Sequence, residues 1–463
     1  MPTPAHHWLD HPPDLLDLSR ADPEAFPYLL ESAAGGVLGG HSLLLFATGP
    51  KLVAQAGRPV TGPGRGEGFF ERLADWFRRE SLPSGEVTGS DELPFSGGWF
   101  VYLGYEMAAE IEPSLVLPGA ATGLPDAIAQ RCPGAVIVLH GGADGADRAA
   151  VVAESPALLQ ELLERIAESR ASRPAPTPAA GPPLEYIREE DPERFKASVR
   201  RVHEYLRAGD TFQVNISRPW TGRFCAEPDP YRLYDSLRRA NPAPFAGLMR
   251  WNRHFLLSSS PERLVQLQGR TVQTRPIAGT RPRGRDSAHD HALSAELISN
   301  LKERAEHVML IDLERNDLGR VCRPGTVEVN ELMVVETYAH VHHIVSNVRG
   351  ELAPGAGPVD AMKAVFPGGT ITGCPKVRCM QIIAELEGEG RSFYTGSMGY
   401  LGRDGRMDLN ILIRSMLVHG RDFAFRTGAG IVADSDPEQE VLETADKARG
   451  MLLALESHGR EKR

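Results

Sequence analysis

The chain has 463 residues, 41% hydrophobic and 24% charged, ordinary values for a globular protein with a real core and enough length for two or three domains or one large one. Its formal net charge of −10 argues against a nucleic-acid surface, and an anionic ligand must be held by local charges or a metal against that field. No apolar run is long enough for a transmembrane helix, the start MPTPAHHWLDHPPDLLDL lacks a signal-peptide layout, and five cysteines without a CxxC point to a reduced cytoplasm.

In chain order, SLLLFATG, GWFVYLGY and GAVIVLH alternate with Gly-rich turns and read as strands, and PALLQELLERIAES reads as a helix. Five prolines in RPAPTPAAGPP break the pattern, giving an N-terminal region at 1–172, a linker at 173–185 and a second domain at 186–458. DPERFKASVRRVHEYLRAGD then predicts an amphipathic helix stopped by Gly209. FQVNISRPW, HFLLSS, LVQLQGRTVQTRPIAG, YLGRDG and DFAFRTGAGIV read as strands, and helices are expected over roughly 292–314, 358–365, 375–387 and 436–456. The last of these shows a capping-box pattern, Ser435 with Glu438 three residues on. Strands and helices come in clusters, which fits an α+β fold better than a doubly wound parallel sheet, and no internal repeat is present.

Four carboxylates form two i, i+3 pairs, Glu303/Glu306 in LKERAEHVMLIDLERND and Glu440/Glu443 in DPEQEVLETADKA. Each pair shares one helical face. A single such pair is usually solvated surface, whereas two facing pairs invite a hard divalent cation. Between them, FPGGTITGCPK sets paired glycines and Thr370 before Pro375 at a helix start, either an anion-binding turn or an ordinary tight one. It is not a Walker A loop, because Cys374 stands where the lysine belongs. GAGIVA at 428–433 matches a dinucleotide fingerprint without the acidic residue that should follow. His342 and His343 lie in a β-like run and point to opposite faces, so one of them at most can serve a site. Glu262 in SSSPERLV sits at a strand end, where it is either presented to a cleft or plain surface.

From about residue 190 to 455 these segments resemble the chorismate-utilising enzymes, the large subunits of anthranilate and aminodeoxychorismate synthase with isochorismate and salicylate synthases as cousins. The resemblance rests on AGDTFQVNIS, SSPERLV, RPIAGTRPRG, KERAEHVMLIDLERNDLGRV, HVHHIVS, PGGTITGCPKVRCM, GSMGYL, NILIRS and GAGIVADSDPEQEVLETADKA, in order. It implies a layered antiparallel β-sandwich with helices outside and an active-site cleft between the sheets. It also implies Mg²⁺ on Glu306 and Glu443, with Glu303 and Glu440 in supporting positions. The metal would hold the ring carboxylate of chorismate, and Arg414, Tyr394 and the amides of Gly428 and Gly430 the enolpyruvyl carboxylate. Thr370 and His343 would line the ring, and Glu262 would protonate the departing C4 hydroxyl.

Where water-adding relatives carry a lysine, this chain has Gln213, which implies ammonia as nucleophile. None of the cysteines sits in a GxCxG glutaminase motif, so a separate glutamine amidotransferase subunit is expected to supply that ammonia. TITGCPK and the VHHIVS doublet lean towards amination at C4, and that is the activity the resemblance leads us to expect, giving 4-amino-4-deoxychorismate for p-aminobenzoate and folate. Ala278, in RPIAGT where many C4-aminating enzymes have a lysine, leans towards the alternative, anthranilate by attack at C2. FPYLLESAAGG resembles the segment that helps build a tryptophan site in anthranilate synthases.

Overall fold

A computed structural model describes residues 4–34, 39–82, 92–141, 145–171, 180–337 and 341–459. Among them, all strand pairing is antiparallel, in one sheet of twelve strands and one of ten. Alternation along single strands builds the layers. In His41–Phe46, Leu43 and Leu45 face the core between the sheets, and Leu44 and Phe46 face outer helices. In Gly98–Leu103 of the other sheet, Phe100 and Tyr102 face the same inner core, and Trp99, Val101 and Leu103 the opposite helical layer. The stacked rings of Tyr28 and Phe100, 3.8 Å between centroids, join the sheets across that core. The result is the expected α+β sandwich with helices outside.

The Pro-rich boundary, of which 172–179 lie outside the described residues, separates sequence segments that share both sheets. Tyr28–Glu31 pairs with Phe245–Trp251 in the first sheet, and Gly98–Leu103 pairs with Ser397–Gly402 in the second. Apolar alternation tells which face a strand buries but not which neighbour it takes, so the composition break could not reveal this sharing.

Two local expectations are corrected. The helix expected over 292–314 is two, Ser287–Ser299 and Leu301–Gly319, because Asn300 leaves helical geometry and its side chain accepts the Glu303 N–H at 3.2 Å. The final helix, Pro437–His458, is capped by Asp436, which accepts from the Glu438 and Gln439 amides, each at 3.0 Å. Ser435 instead accepts from the Val432 amide at 3.1 Å, one turn earlier in the loop.

Two chain crossings between the sheets position the site. His254–Ser260 belongs to the first sheet and Arg263–Gln268 to the second, and Glu262 sits on the corner between them. Met407–Asn410 crosses back to Ser415–His419, with Arg414 on that corner. The corners are tied to each other: the Ile411 amide donates to the Glu262 carbonyl at 3.0 Å and the Ser259 amide to the Arg414 carbonyl at 3.1 Å. Arg414 has φ +51°, a left-handed conformation that L residues with long side chains adopt at a cost and that neighbouring structure must hold.

Candidate active site

Glu262 is buried, with a backbone N–H that donates to Ser260 Oγ at 3.2 Å. Burial pushes its carboxyl up to about 7, against smaller opposing pulls from the Thr370 hydroxyl, the Ile277 amide and the charges of Arg414 and Lys447. Thr370 rides the single 3-10 turn Gly369–Ile371, and its carbonyl accepts from Asn215 Nδ2 at 3.3 Å. The Gly-rich segment is closed internally by Thr372 Oγ1, which donates to the Gly368 carbonyl at 2.8 Å.

The histidine doublet divides as the strand period requires. His342 turns to Asp290 and Thr337, each 2.9 Å from a ring nitrogen. His343 is buried on the other side, where desolvation, then the Arg414 charge, bring it down to about 3, so its imidazole is neutral through the physiological range.

Gly428 and Gly430 lie in Asp422–Ile431, opposite Ser217 and Asn215 of Gln213–Phe224. A Cβ at Gly428 would stand 2.6 Å from Tyr394 Oη and 2.7 Å from the Ile216 carbonyl, and one at Gly430 would collide with the Gln213 amide. These two glycines make room for side chains that reach across the strand pair. Tyr394 is buried with its phenol pushed up to about 12, chiefly by desolvation.

The carboxylate pairs fall on helices as expected, Glu303 and Glu306 on Leu301–Gly319 and Glu440 and Glu443 on Pro437–His458. Glu303 Oε1 is 2.7 Å from Arg281, and Gly279, at φ +68°, leaves no space for a Cβ beside its Oε2. Glu306 is half-buried and Glu440 buried, while Glu443 is half-exposed and 2.8 Å from Lys447. Among the described residues no group of three or more His, Cys, Asp or Glu side chains is close enough to hold a metal ion. The donor set still suits Mg²⁺, which is commonly bound through one or two carboxylates with water and substrate oxygens completing its shell. Glu303 Oε2, buried and without a hydrogen-bond partner, is an oxygen of that type.

Buried polar atoms normally find partners. Gln213 Oε1 and Asn215 Oδ1, on the strand that faces Gly428 and Gly430, do not, which marks that face as space for a polar ligand. Sequence reasoning missed Lys447, whose ammonium donates to the Gly428 carbonyl at 2.9 Å and which carries charge towards Glu262. Its signal was present: Glu443 and Lys447 stand i, i+4 on a helix. Arg281 was missed too, hidden by a strand whose side-chain partners come from a distant helix.

The segment Tyr28–Glu31 pairs with Phe245–Trp251, which in turn pairs with the strand His254–Ser260 that leads to the Glu262 corner. Leu30 and Glu31 line a cavity between the sheets with His41, Phe245, Tyr400 and Asn410, and the Glu31 carboxylate accepts from Tyr234 at 2.8 Å and pairs with Arg238 at 2.7 Å. No helix among the described residues is long and apolar enough to cross a membrane.

A family profile described as chorismate binding enzyme matches residues 55–453, across the Pro-rich boundary. The chain is 43% identical over 388 residues to anthranilate synthase component 1 of Streptomyces coelicolor, covering 78% of this chain and 73% of that one. It is 50% identical over 262 residues to aminodeoxychorismate synthase component 1 of Bacillus subtilis, covering 57% and 55%. The crystal structure of anthranilate synthase component I from Streptococcus pneumoniae superposes with a TM-score of 0.77 at 31% identity, covering 90% of this chain and 93% of that one. With its sandwich, its corner-borne polar site and a family match over most of its length, the chain belongs to the chorismate-binding enzymes.

Proposed function

We propose that the protein aminates chorismate at C2 and eliminates pyruvate to give anthranilate, as an anthranilate synthase component I. The observation that carries this choice is Ala278. It lies in Ile277–Pro282 opposite Ile344, next to the Ile277 amide that faces Glu262, and it offers no amine for covalent attack on the ring. The C4 lean of TITGCPK and the VHHIVS doublet is outweighed. The likeness to the Streptomyces coelicolor enzyme runs through far more of the chain than that to the Bacillus subtilis one.

In this reading Arg414, Tyr394 and the Gly428 and Gly430 amides hold the enolpyruvyl carboxylate. Neutral His343 and Thr370 line the ring. Glu262, protonated up to about pH 7, gives its proton to the departing C4 hydroxyl. Glu306 and Glu443 would hold Mg²⁺, with Glu303 and Glu440 in supporting positions, and when bound it supplies positive charge for the ring carboxylate in a protein of net charge −10. Gln213 has no basic group to activate water, which favours ammonia as nucleophile, delivered by a glutamine amidotransferase subunit. The inter-sheet cavity beside Leu30 and Glu31 is our candidate for tryptophan, read out as inhibition of turnover.

The test is product identification from purified chain, chorismate, Mg²⁺ and an ammonium salt near pH 8.5. Direct release of fluorescent anthranilate is expected. p-Aminobenzoate appearing only after an aminodeoxychorismate lyase is added would reverse the assignment to C4.

A further inference from the structure

We propose that Arg391 is a positioning residue for the substrate site, one guanidinium that fixes three site-bearing segments relative to each other; this rests on the chorismate reading above. The Arg391 side chain is fully buried, and all five of its N–H donors are used. Nε and one Nη2 hydrogen go to the Glu387 carboxylate, at 3.0 and 2.6 Å. The remaining donors reach three other segments. Nη2 donates to the Asn215 carbonyl at 2.8 Å, in the strand that faces Gly428 and Gly430. Nη1 donates to the Ile371 carbonyl at 3.1 Å, in the turn that carries Thr370, and to Thr395 Oγ1 at 3.3 Å. The flat face of the same group lies 5.5 Å from the Tyr394 ring centroid and 5.0 Å from that of Tyr105.

Fold stability alone would be met by a buried ion pair with any two or three partners. Here the guanidinium meets the backbone of the segments that bring Asn215 and Thr370 to the candidate site and the Thr395 hydroxyl next to Tyr394, while none of its own donors is left to touch a ligand. Its charge is balanced by Glu387, which also accepts from Ser217 Oγ at 2.9 Å and from Arg426 at 3.2 Å, so the carboxylate stays anchored without Arg391. A lysine keeps the charge but cannot make the planar fork that joins separate carbonyls. Positioning of this kind acts on substrate affinity and orientation, not on proton transfer.

The experiment compares wild type, Arg391→Lys and the charge-balanced double variant Arg391→Gln/Glu387→Gln, following chorismate consumption whichever amine is formed. Removing both members of a buried pair is far less damaging than removing one, so the double variant is designed to fold. The KM for chorismate is expected to rise at least tenfold in both variants, with the pH dependence of kcat unchanged. KM does not depend on how much enzyme is folded, so wild-type KM in either variant, even from a small folded fraction, would overturn the proposal. Glu262→Gln is run alongside. An active Glu262→Gln with a raised KM at Arg391 sinks the acid assignment and leaves this one standing, an inactive Glu262→Gln with unperturbed Arg391 variants does the reverse, and a wild type that consumes no chorismate overturns both.

Discussion

Glu262→Gln separates two consequences of one buried carboxyl. The carboxyl is raised from 4.5 to about 7, so the folded protein binds this proton more tightly than the unfolded chain does. Its contribution to stability is complete below about pH 4.5 and is lost as pH rises through about 7. At roughly 1.4 kcal/mol per pH unit, the stability lost across that window is on the order of 3 kcal/mol. Glutamine is neutral throughout and loses nothing, so the variant should gain on wild type by about that amount between pH 4.5 and 8. Unfolding midpoints in urea at the two pH values measure it. The same substitution removes the proposed acid and should lower kcat/KM by roughly 10²–10⁴-fold. It should also abolish a fall in rate above pH 7 that wild type shows once the free-ammonia fraction is corrected for. A Glu262→Gln enzyme within a few fold of wild type, or one that keeps that alkaline limb, would refute the assignment. A stability gain that is the same at both pH values would refute the burial argument beneath it.

Gly428→Ala places a methyl 2.7 Å from a backbone carbonyl and 2.6 Å from Tyr394 Oη, and should cost roughly 1–3 kcal/mol in thermal unfolding together with a raised KM for chorismate. Glu443→Gln, at a half-exposed side chain, should change stability by less than about 0.5 kcal/mol yet remove Mg²⁺-stimulated turnover; an unchanged Mg²⁺ titration would take Glu443 out of the metal assignment. His343, brought down to about 3, should show neutral imidazole NMR shifts at every pH above 5, and a titration near pH 6.5 would mean that its pocket is wet. Ala278→Lys tests the room beside Ile277: a covalent chorismate adduct seen by intact mass would mean the pocket accepts the lysine-dependent route, and its absence with loss of turnover would mean it does not.

The sequence made the strands legible, since Leu43 to Phe46 and Trp99 to Leu103 alternate between two interiors, but it did not say who pairs with whom. The chemical residues were legible through the family strings, and the structure gathers Glu262, Thr370, His343 and Arg414 around shared electrostatics. Arg391 and Lys447 were not. An arginine in GRSFYTG and a lysine in ETADKA look like surface until the distant carbonyls of Asn215, Ile371 and Gly428 are in place. The break at Asn300 did leave a trace, a capping residue followed three positions on by Glu303, which helical periodicity on either side concealed.

The pairing of Gly98–Leu103 with Ser397–Gly402 also bears on how the chain is made. During synthesis the early strand emerges while its neighbour on that side is hundreds of residues from being translated. Tyr28–Glu31 waits in the same way for Phe245–Trp251. Both would present bare backbone donors and acceptors, on apolar strands, for most of the time the ribosome needs. Contacts so distant in sequence close slowly. The nascent N-terminal region is therefore a natural client for a chaperone that shields strand edges, and the site corners at Glu262 and Arg414 can settle only after the last sheet strands have arrived.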